Sequence, residues 1–259
     1  MNSLFFILLA MVLLHSGSPA TAQETKMISG KAYRLVWQDE FDNVEASKAK
    51  WNYRALGKRG DAINSTSAIS LDGNGHLVIE VKRKGDSILT GMIDTERKFE
   101  TRYGYFECRA KLTKVPGAWP AFWLQSSKNQ HNGVPEIHGA EIDIFEYFPN
   151  LKKDSVTHTL HWGGYGATHK MAGPIFAPLK QTADGFHTFG LEWTDNQYST
   201  FVDGVQTYTG HTLISKVPEF IVLSLEVNKA VAGPLNVNAL PDKFIVDYVK
   251  VYKMRDDDR

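Results

Sequence analysis

Apolar and polar side chains alternate with a period of two through much of the chain after residue 33. In 77–82, Leu77, Ile79 and Val81 alternate with other residues, and 189–194 repeats the same pattern around Phe189, Leu191 and Trp193. Short alternating runs of this kind predict β-strands that are buried on one face. Only Val44 to Lys50 has the pattern of a short helix. The sequence therefore predicts an all-β fold, either a sandwich or a barrel.

Turn residues separate the predicted strands. Asp72-Gly73, Gly85-Asp86 and Pro116-Gly117 each interrupt the alternation. Asp203-Gly204 lies between two strand-like runs, 198–202 and 205–208, and this dipeptide is typical of a two-residue hairpin loop. Frequent turns without a low-complexity linker favour one domain over two.

Composition excludes several kinds of protein. The 29 basic and 29 acidic residues give a net charge of zero, which argues against nucleic acid as a partner, because such proteins need a cationic surface. The single cysteine, Cys108, cannot form an internal disulfide or a multi-cysteine metal site. The chain is also rich in aromatic residues, with 14 Phe, 10 Tyr and 6 Trp.

The N-terminus resembles a secretory signal. Leu4 to Leu14 is an unbroken apolar run, too short for the roughly 20 residues that span a bilayer, and Ala20-Thr21-Ala22 follows as an A-x-A cleavage site. The alternative is a buried N-terminal helix, although no periodicity selects one face. We expect a signal peptide over 1–22 and a single domain over 23–259. The product would be secreted or periplasmic, monomeric and free of membrane after cleavage.

Three acids within six residues form the most informative motif. Glu141, Asp143 and Glu146 lie in an otherwise apolar segment. In a regular strand Glu141 and Asp143 share one face, whereas Glu146 has the opposite parity and would enter the core, where a lone carboxylate is costly. One extra residue between Asp143 and Glu146, a β-bulge, returns Glu146 to the same face. We therefore predict a bulged strand with three carboxylates on one side.

Three carboxylates in a row suit acid–base chemistry. The two glutamates would be roughly 13 Å apart between Cα atoms, and converging side chains can reach the roughly 5 Å carboxyl separation of a retaining glycosidase. Like charges at close range raise one another's pKa, so one acid keeps its proton while another ionises. The alternative is an acidic, solvent-facing strand edge, which mutual repulsion and poor strand propensity disfavour.

The motif and its neighbours resemble glycoside hydrolase family 16, in the laminarinase and agarase-like branch with the bulged Glu-x-Asp-x-x-Glu signature. Four further blocks in the same order carry the resemblance, which covers nearly all of 33–253. They are Val36 to Phe41, Tyr103 to Leu124, Leu191 to Gly204 and Phe244 to Tyr252.

This resemblance implies a concanavalin A-like jelly-roll sandwich of two curved antiparallel sheets with a cleft on the concave face. It implies a retaining endo-hydrolase of β-linked polysaccharide that needs no cofactor for catalysis. By position Glu141 would be the nucleophile and Glu146 the general acid/base, while Asp143 would orient the nucleophile and tune the pKa values of its neighbours.

Further site residues follow from parity and resemblance. We expect substrate to contact Trp119, Trp123, His161, Trp162 and Glu226. The alternative for the two tryptophans of 119–123 is a core position, and the alternative for His161 is a structural histidine. Between the neighbouring histidines, 158 and 161, parity puts the side chains on opposite faces, which argues against a shared metal. The resemblance also implies Asp247 as a ligand of a structural calcium on the convex side.

The substrate is the least determined property. Our best assignment is β-1,3-glucan or mixed β-1,3/1,4-glucan. A galactan hydrolase of the agarase or porphyranase kind is an alternative, since Arg54 and Lys58-Arg59 are candidate basic subsites for sulfated sugars. A non-catalytic lectin on the same fold and a transglycosylase are two more candidates, and the complete set of three acids argues against the lectin.

Overall fold

The computed structural model describes residues 23–129 and 133–255. The predicted signal peptide over 1–22 lies outside the described residues. Within them the chain has nineteen strands and three short α-helices. The first ten strands are β1 Thr25–Ile28, β2 Lys31–Asp39, β3 Asn52–Tyr53, β4 Gly57–Arg59, β5 Ala62–Asn64, β6 Ile69–Leu71, β7 Leu77–Lys84, β8 Ser87–Asp94, β9 Glu100–Thr101 and β10 Gly104–Lys111. The others are β11 Ala118–Gln125, β12 Glu141–Glu146, β13 Ser155–Trp162, β14 Lys170–Pro178, β15 His187–Trp193, β16 Tyr198–Val202, β17 Val205–Gly210, β18 Glu219–Val227 and β19 Asp242–Met254. The helices are α1 Val44–Lys50, α2 Pro135–His138 and α3 Lys229–Ala232.

Two antiparallel sheets face each other, as the alternation and the family resemblance predict. The first, named here the cleft sheet, runs β14-β13-β12-β11-β18-β8, with β9 also on β18 and β3 on β8. The second, the outer sheet, runs β17-β16-β15-β10-β19, and β19 then pairs with both β2 and β7. The chain therefore adopts the predicted jelly-roll sandwich with curved sheets.

Local sequence accounts for the best-predicted elements. The Asp203-Gly204 turn joins β16 to β17 with positive φ at both residues, 51° and 75°, which suits a tight hairpin and favours Gly at its second position. Helix α1 has the bounds that the sequence predicts. Asn43 caps it, because its side-chain oxygen accepts a hydrogen bond from the Ala46 amide at 2.9 Å.

A continuous apolar core fills the space between the sheets. Phe145 of the cleft sheet and Phe189 of the outer sheet meet with ring centroids 4.0 Å apart. Along β11, Phe122 and Leu124 enter this core, while Trp119 and Trp123 take the other face. One face of the cleft sheet therefore packs against the core, and the opposite face lines a cavity.

No helix among the described residues combines the length and apolar character needed to cross a membrane.

Candidate active site

A β-bulge in β12 sets the direction of its three acids. Against β11, Phe145 pairs with Phe122 and Asp143 with Trp123, so Ile144 is the extra residue. Against β13 the register shifts between Asp143 and Glu146 in the same way. The side chains of Ile144 and Phe145 are both completely buried in the core. The predicted bulge is confirmed, and Glu146 is returned to the face that carries Glu141 and Asp143.

All three acids line one cavity of about 640 Å³ on the exposed face of the cleft sheet. Asp143 and Glu146 are buried, and Glu141 is half-buried. Apolar side chains from three strands of the cleft sheet form a buried cluster next to them, named here the floor. These floor residues are Met92, Ala121, Trp123, Phe220 and Val222.

Burial and mutual repulsion raise the pKa values of the three acids to different extents. Burial is the largest cause that raises the pKa of Glu146 well above its usual range, and Asp143 and Glu141 add to it. Asp143 is also raised well above its usual pKa, first by burial and then by Glu141. Burial raises the pKa of Glu141 too, but a hydrogen bond from Tyr165 opposes that rise. Glu141 is therefore the acid most ready to ionise, and Glu146 is suited to keep a proton.

His161 faces the acids from β13, as the family resemblance implies. Its Nε2 lies 3.3 Å from Asp143 Oδ2 and 4.0 Å from Glu141 Oε1. The contact with Asp143 is close but lacks hydrogen-bond geometry, since Asp143 Oδ2 accepts no hydrogen bond from any described residue. On its other side His161 Nδ1 is 2.9 Å from Nε2 of His169, and the two rings are stacked.

His158 and Trp162 of β13 do not line the cavity, unlike Thr157, Thr159 and His161 of the same strand. His158 is buried and contacts Thr207 of the outer sheet, with Nε2 2.9 Å from its Oγ1. Trp162, which we expected to bind substrate, is not among the described residues that line the cavity, because it follows His161 and takes the opposite face. The prediction for Trp162 therefore has no support from the cavity lining.

Aromatic side chains flank the acids, as predicted. Trp123 lies in the floor, and its indole N–H donates to Ser224 Oγ at 3.1 Å. Trp119 is only half-buried and packs against Phe148, with ring centroids 5.5 Å apart. Trp119 and Phe148 thus form an aromatic wall of the cavity, suited to the C–H face of a sugar.

Two arginines that line the cavity are each paired with a carboxylate. Glu226 of β18 accepts two hydrogen bonds from Arg59, at 2.6 and 3.2 Å, in a bidentate pair. Arg54 donates to Asp94 at 2.9 Å. Glu226 lines the cavity together with both arginines, and its role in binding substrate stays a prediction.

Several cavity residues were missed by sequence reasoning. Gln125 is buried and shares the parity of Trp119 and Trp123 on β11, so extending the alternation by one step would have found it. Tyr165 and His169 lie on the loop between β13 and β14, where no periodicity applies. Only the folded structure brings them to the acids.

The structure gives no support to a calcium ion at Asp247. Its carboxylate accepts a hydrogen bond from Arg109, whose guanidinium supplies a positive charge to it. In the described part of the chain, one cluster has three metal-capable side chains with ligand atoms within 4.8 Å of one another, namely Glu141, Asp143 and His161. Asp247 is not part of it.

Comparison with known proteins agrees with this geometry. Glucan endo-1,3-beta-glucosidase A1 of Niallia circulans is 28% identical over 85% of this chain, which spans 38% of that protein's length. The glucan endo-1,3-beta-glucosidase of Cryptopygus antarcticus is 31% identical, with 76% of this chain and 81% of the relative covered. The crystal structure of laminarinase from Flavobacterium sp. UMI-01 superposes with a TM-score of 0.72 at 28% identity, over 85% of this chain and 100% of that one.

The family assignment has a direct source as well. Residues 57–236 match the family model described as glycosyl hydrolases family 16, and this range includes the bulged strand, both tryptophans and the Arg59–Glu226 pair. Together with the three acids on one face of the cleft sheet, the match establishes that this chain belongs to glycosyl hydrolases family 16.

Proposed function

We propose that the protein is a retaining endo-β-glucanase that cleaves β-1,3-glucan or mixed β-1,3/1,4-glucan. The observation that carries the proposal is the bulged strand, which presents Glu141 and Glu146 to one cavity with different readiness to ionise. Family membership and the names of the relatives support the substrate class.

Two steps complete the reaction. In the first, Glu146 gives its proton to the glycosidic oxygen as the bond from that oxygen to the anomeric carbon breaks, and Glu141 forms a bond to the same carbon. In the second, the Glu146 carboxylate takes a proton from water. The water oxygen then bonds to the anomeric carbon and releases Glu141, so the original configuration is retained.

Asp143 and His161 influence the ionisation of the two glutamates and the orientation of Glu141. Asp143 lies between the glutamates on the same face and is buried, so ionising it would place a second charge beside Glu141. His161 approaches both Asp143 and Glu141 from the neighbouring strand and lowers the pKa of Glu146. We propose that both residues hold Glu141 in its attacking orientation.

The charges of the cavity favour a neutral polymer. A sulfated galactan needs cationic groups that are free to bind sulfate. Arg59 is held by Glu226, and Arg54 by Asp94 with Glu96 at 3.5 Å. Because these arginines already have carboxylate partners, we favour a glucan over a galactan. Trp119 and Trp123 would bind its sugar rings by stacking.

A substrate panel tests the proposal. Reducing ends released from laminarin, lichenan, agarose, porphyran and galactan should appear with the first two. Release from a galactan alone would move the substrate class to galactans. Binding to one polymer without any cleavage would support the lectin and refute the hydrolase.

The roles of the two glutamates have a separate test. Azide is a nucleophile that needs no general base. With Glu146→Ala and an activated aryl glycoside, azide should attack the glycosyl-enzyme and yield a β-glycosyl azide. With Glu141→Ala, azide should replace the nucleophile from the opposite face and yield an α-glycosyl azide. The reverse pair of products would mean that the roles are exchanged.

We also propose export, with cleavage after Ala22 and a monomeric mature chain that acts in the periplasm or outside the cell. The apolar run over Leu4 to Leu14 and the A-x-A site support this. Expression of the full chain in a secreting host, followed by N-terminal sequencing, should show Gln23 as the first residue. Retention of the first 22 residues in the secreted protein would contradict it.

A further inference from the structure

A series of hydrogen-bonded side chains connects Asp94 of β8 to the carboxylate of Glu141. Its members, named here the hydrogen-bond relay, are Asp94, Arg54, Gln125, Tyr165 and Glu141. The Tyr165 hydroxyl contacts Glu141 Oε2, and Gln125 Nε2 contacts the same hydroxyl. Gln125 Oε1 contacts Nη2 of Arg54, and Arg54 Nη1 donates to Asp94 at 2.9 Å. Gln125 is 3% exposed, so its amide finds its partners inside the protein.

The donor and acceptor at each contact of the hydrogen-bond relay are fixed by the chemistry of its members. A guanidinium donates and never accepts, so Arg54 requires the oxygen of the Gln125 amide on its side. The Gln125 NH₂ group must then face Tyr165. Because that group only donates, the Tyr165 oxygen accepts from it and directs its own single proton to Glu141. Asn129 Nδ2, at 3.5 Å, approaches the same oxygen as another donor.

We propose that Arg54, Gln125 and Tyr165 are positioning residues that hold Glu141 Oε2 with a hydrogen bond of fixed direction and leave Oε1 to attack the anomeric carbon. The inference rests on the proposed role of Glu141 as nucleophile. Among described residues Oε1 receives no hydrogen bond, and the basic nitrogen found nearest to it is His161 Nε2 at 4.0 Å.

The hydrogen bond stabilises the charged form of Glu141. A donor to a carboxylate lowers its pKa, and Tyr165 is the largest influence that does so for Glu141. Tyr165 itself keeps its proton, because burial of the hydroxyl end and the adjacent carboxylate raise its pKa. The charged and titratable groups that face Glu141 from the surrounding elements are Asp143 and Glu146 on its own strand, His161 on β13, Glu219 and Glu226 on β18, Arg59 on β4 and Tyr165 on the loop.

Two substitutions interrupt the hydrogen-bond relay at different residues. Tyr165→Phe removes the donor to Glu141 and leaves the ring, which is 49% exposed and so carries little of the fold. Gln125→Glu keeps the size of the side chain and accepts from both Arg54 and Tyr165, which turns the Tyr165 proton away from Glu141. It also removes the Gln125 donor 3.4 Å from Glu141 Oε2 and places a negative charge there, so Tyr165→Phe is the variant that isolates the Tyr165 hydrogen bond. Tyr53→Phe is the matched control, since Tyr53 is 50% exposed and lies outside this cavity.

The first readout is the ionisation of Glu141 itself. The carboxyl carbon of Glu141 is followed by ¹³C NMR against pH in glutamate-labelled protein and is assigned by its loss in Glu141→Gln. We expect its midpoint to move to higher pH in Tyr165→Phe and in Gln125→Glu, and to stay in place in Tyr53→Phe. An unchanged midpoint in Tyr165→Phe would overturn the inference, whatever Gln125→Glu shows.

The second readout is the pH profile of kcat/KM. We expect its acid limb to move to higher pH in both cavity variants, with a loss on the order of tenfold on the acid side and less near neutrality. A uniform loss at every pH would show a merely structural role and would overturn the inference. A wild-type protein without activity on any glycan would refute the proposed function instead. The NMR titration of Glu141 would still test the hydrogen-bond relay, because it does not depend on activity.

Discussion

His158 gives the most quantitative prediction, because a buried neutral histidine supports the bulge of the catalytic strand. Its Nδ1 is 2.6 Å from the carbonyl oxygen of Ile144, the extra residue of the bulge. A carbonyl only accepts, so Nδ1 carries the proton. The side chain is 3% exposed, and burial lowers its pKa from 6.5 to about 4.

The pKa of His158 sets the size of the effect. Between pH 6.5 and about pH 4 the unfolded chain binds a proton at this residue and the folded chain does not, so acid favours unfolding. A displacement from 6.5 to about 4 corresponds to about 3 kcal/mol of folding free energy. This stability is present near neutral pH and is lost as the pH falls through that window.

The perturbation is His158→Asn, which keeps a donor for the Ile144 carbonyl but cannot titrate. Urea unfolding of both proteins at pH 7, 6, 5 and 4 gives the free energy of unfolding at each pH. Between pH 7 and pH 4 the wild type should lose about 3 kcal/mol more than the variant. His211→Asn, at an exposed histidine, is the control and should follow the wild type.

Parallel pH dependence in wild type and His158→Asn would refute the reasoning. It would mean that His158 binds its proton equally well in both states, and that burial does not decide its charge. A variant that unfolds at pH 7 is replaced by His158→Gln, which has the same donor on a longer side chain.

Three other predictions concern other parts of the molecule. Trp119→Ala should raise KM for long glucans at least about tenfold, because a ring of the aromatic wall is lost, and should leave kcat on a short activated glycoside unchanged. Glu219, buried with a pKa raised to about 8, binds its proton more tightly when folded, so stability falls as pH rises from 4.5 to 8; Glu219→Gln should abolish that fall in urea unfolding. Cys108 is fully buried, and burial raises the pKa of its thiol, so a thiol reagent should react with it only in urea, and reaction of the native protein would contradict its placement.

The sequence was sufficient where a physical penalty left one solution. Glu146 had the wrong parity for a regular strand, and burying a lone carboxylate is costly, so a bulge was required. For the two histidines of β13, parity separated the faces, and the family resemblance was needed to choose His161 over His158 for the cavity. The helix Val44–Lys50 could be predicted because its cap and its periodicity agree.

The remaining site contacts could not be predicted, because they join residues that are distant in sequence and meet only through strand pairing or loop placement. Arg54 was a candidate basic subsite, but its partner Asp94 lies 40 residues away and is brought to it only by the pairing of β3 with β8. Tyr165 reaches Glu141 from a loop, where no repeat of side-chain direction exists. Asp247 was assigned to calcium by resemblance, and its pairing with Arg109 depends on the register of β10 against β19.

The bulge also bears on how the catalytic strand can change length during evolution. Without Ile144, Glu146 would stand four positions after Glu141, and in a regular strand positions 0, 2 and 4 share a face. The bulged six-residue strand and an unbulged five-residue strand therefore present the same three acids. Losing this one residue would remove a buried apolar side chain yet keep the catalytic array, whereas a gain or loss of one residue between Glu141 and Asp143 would turn one acid into the core.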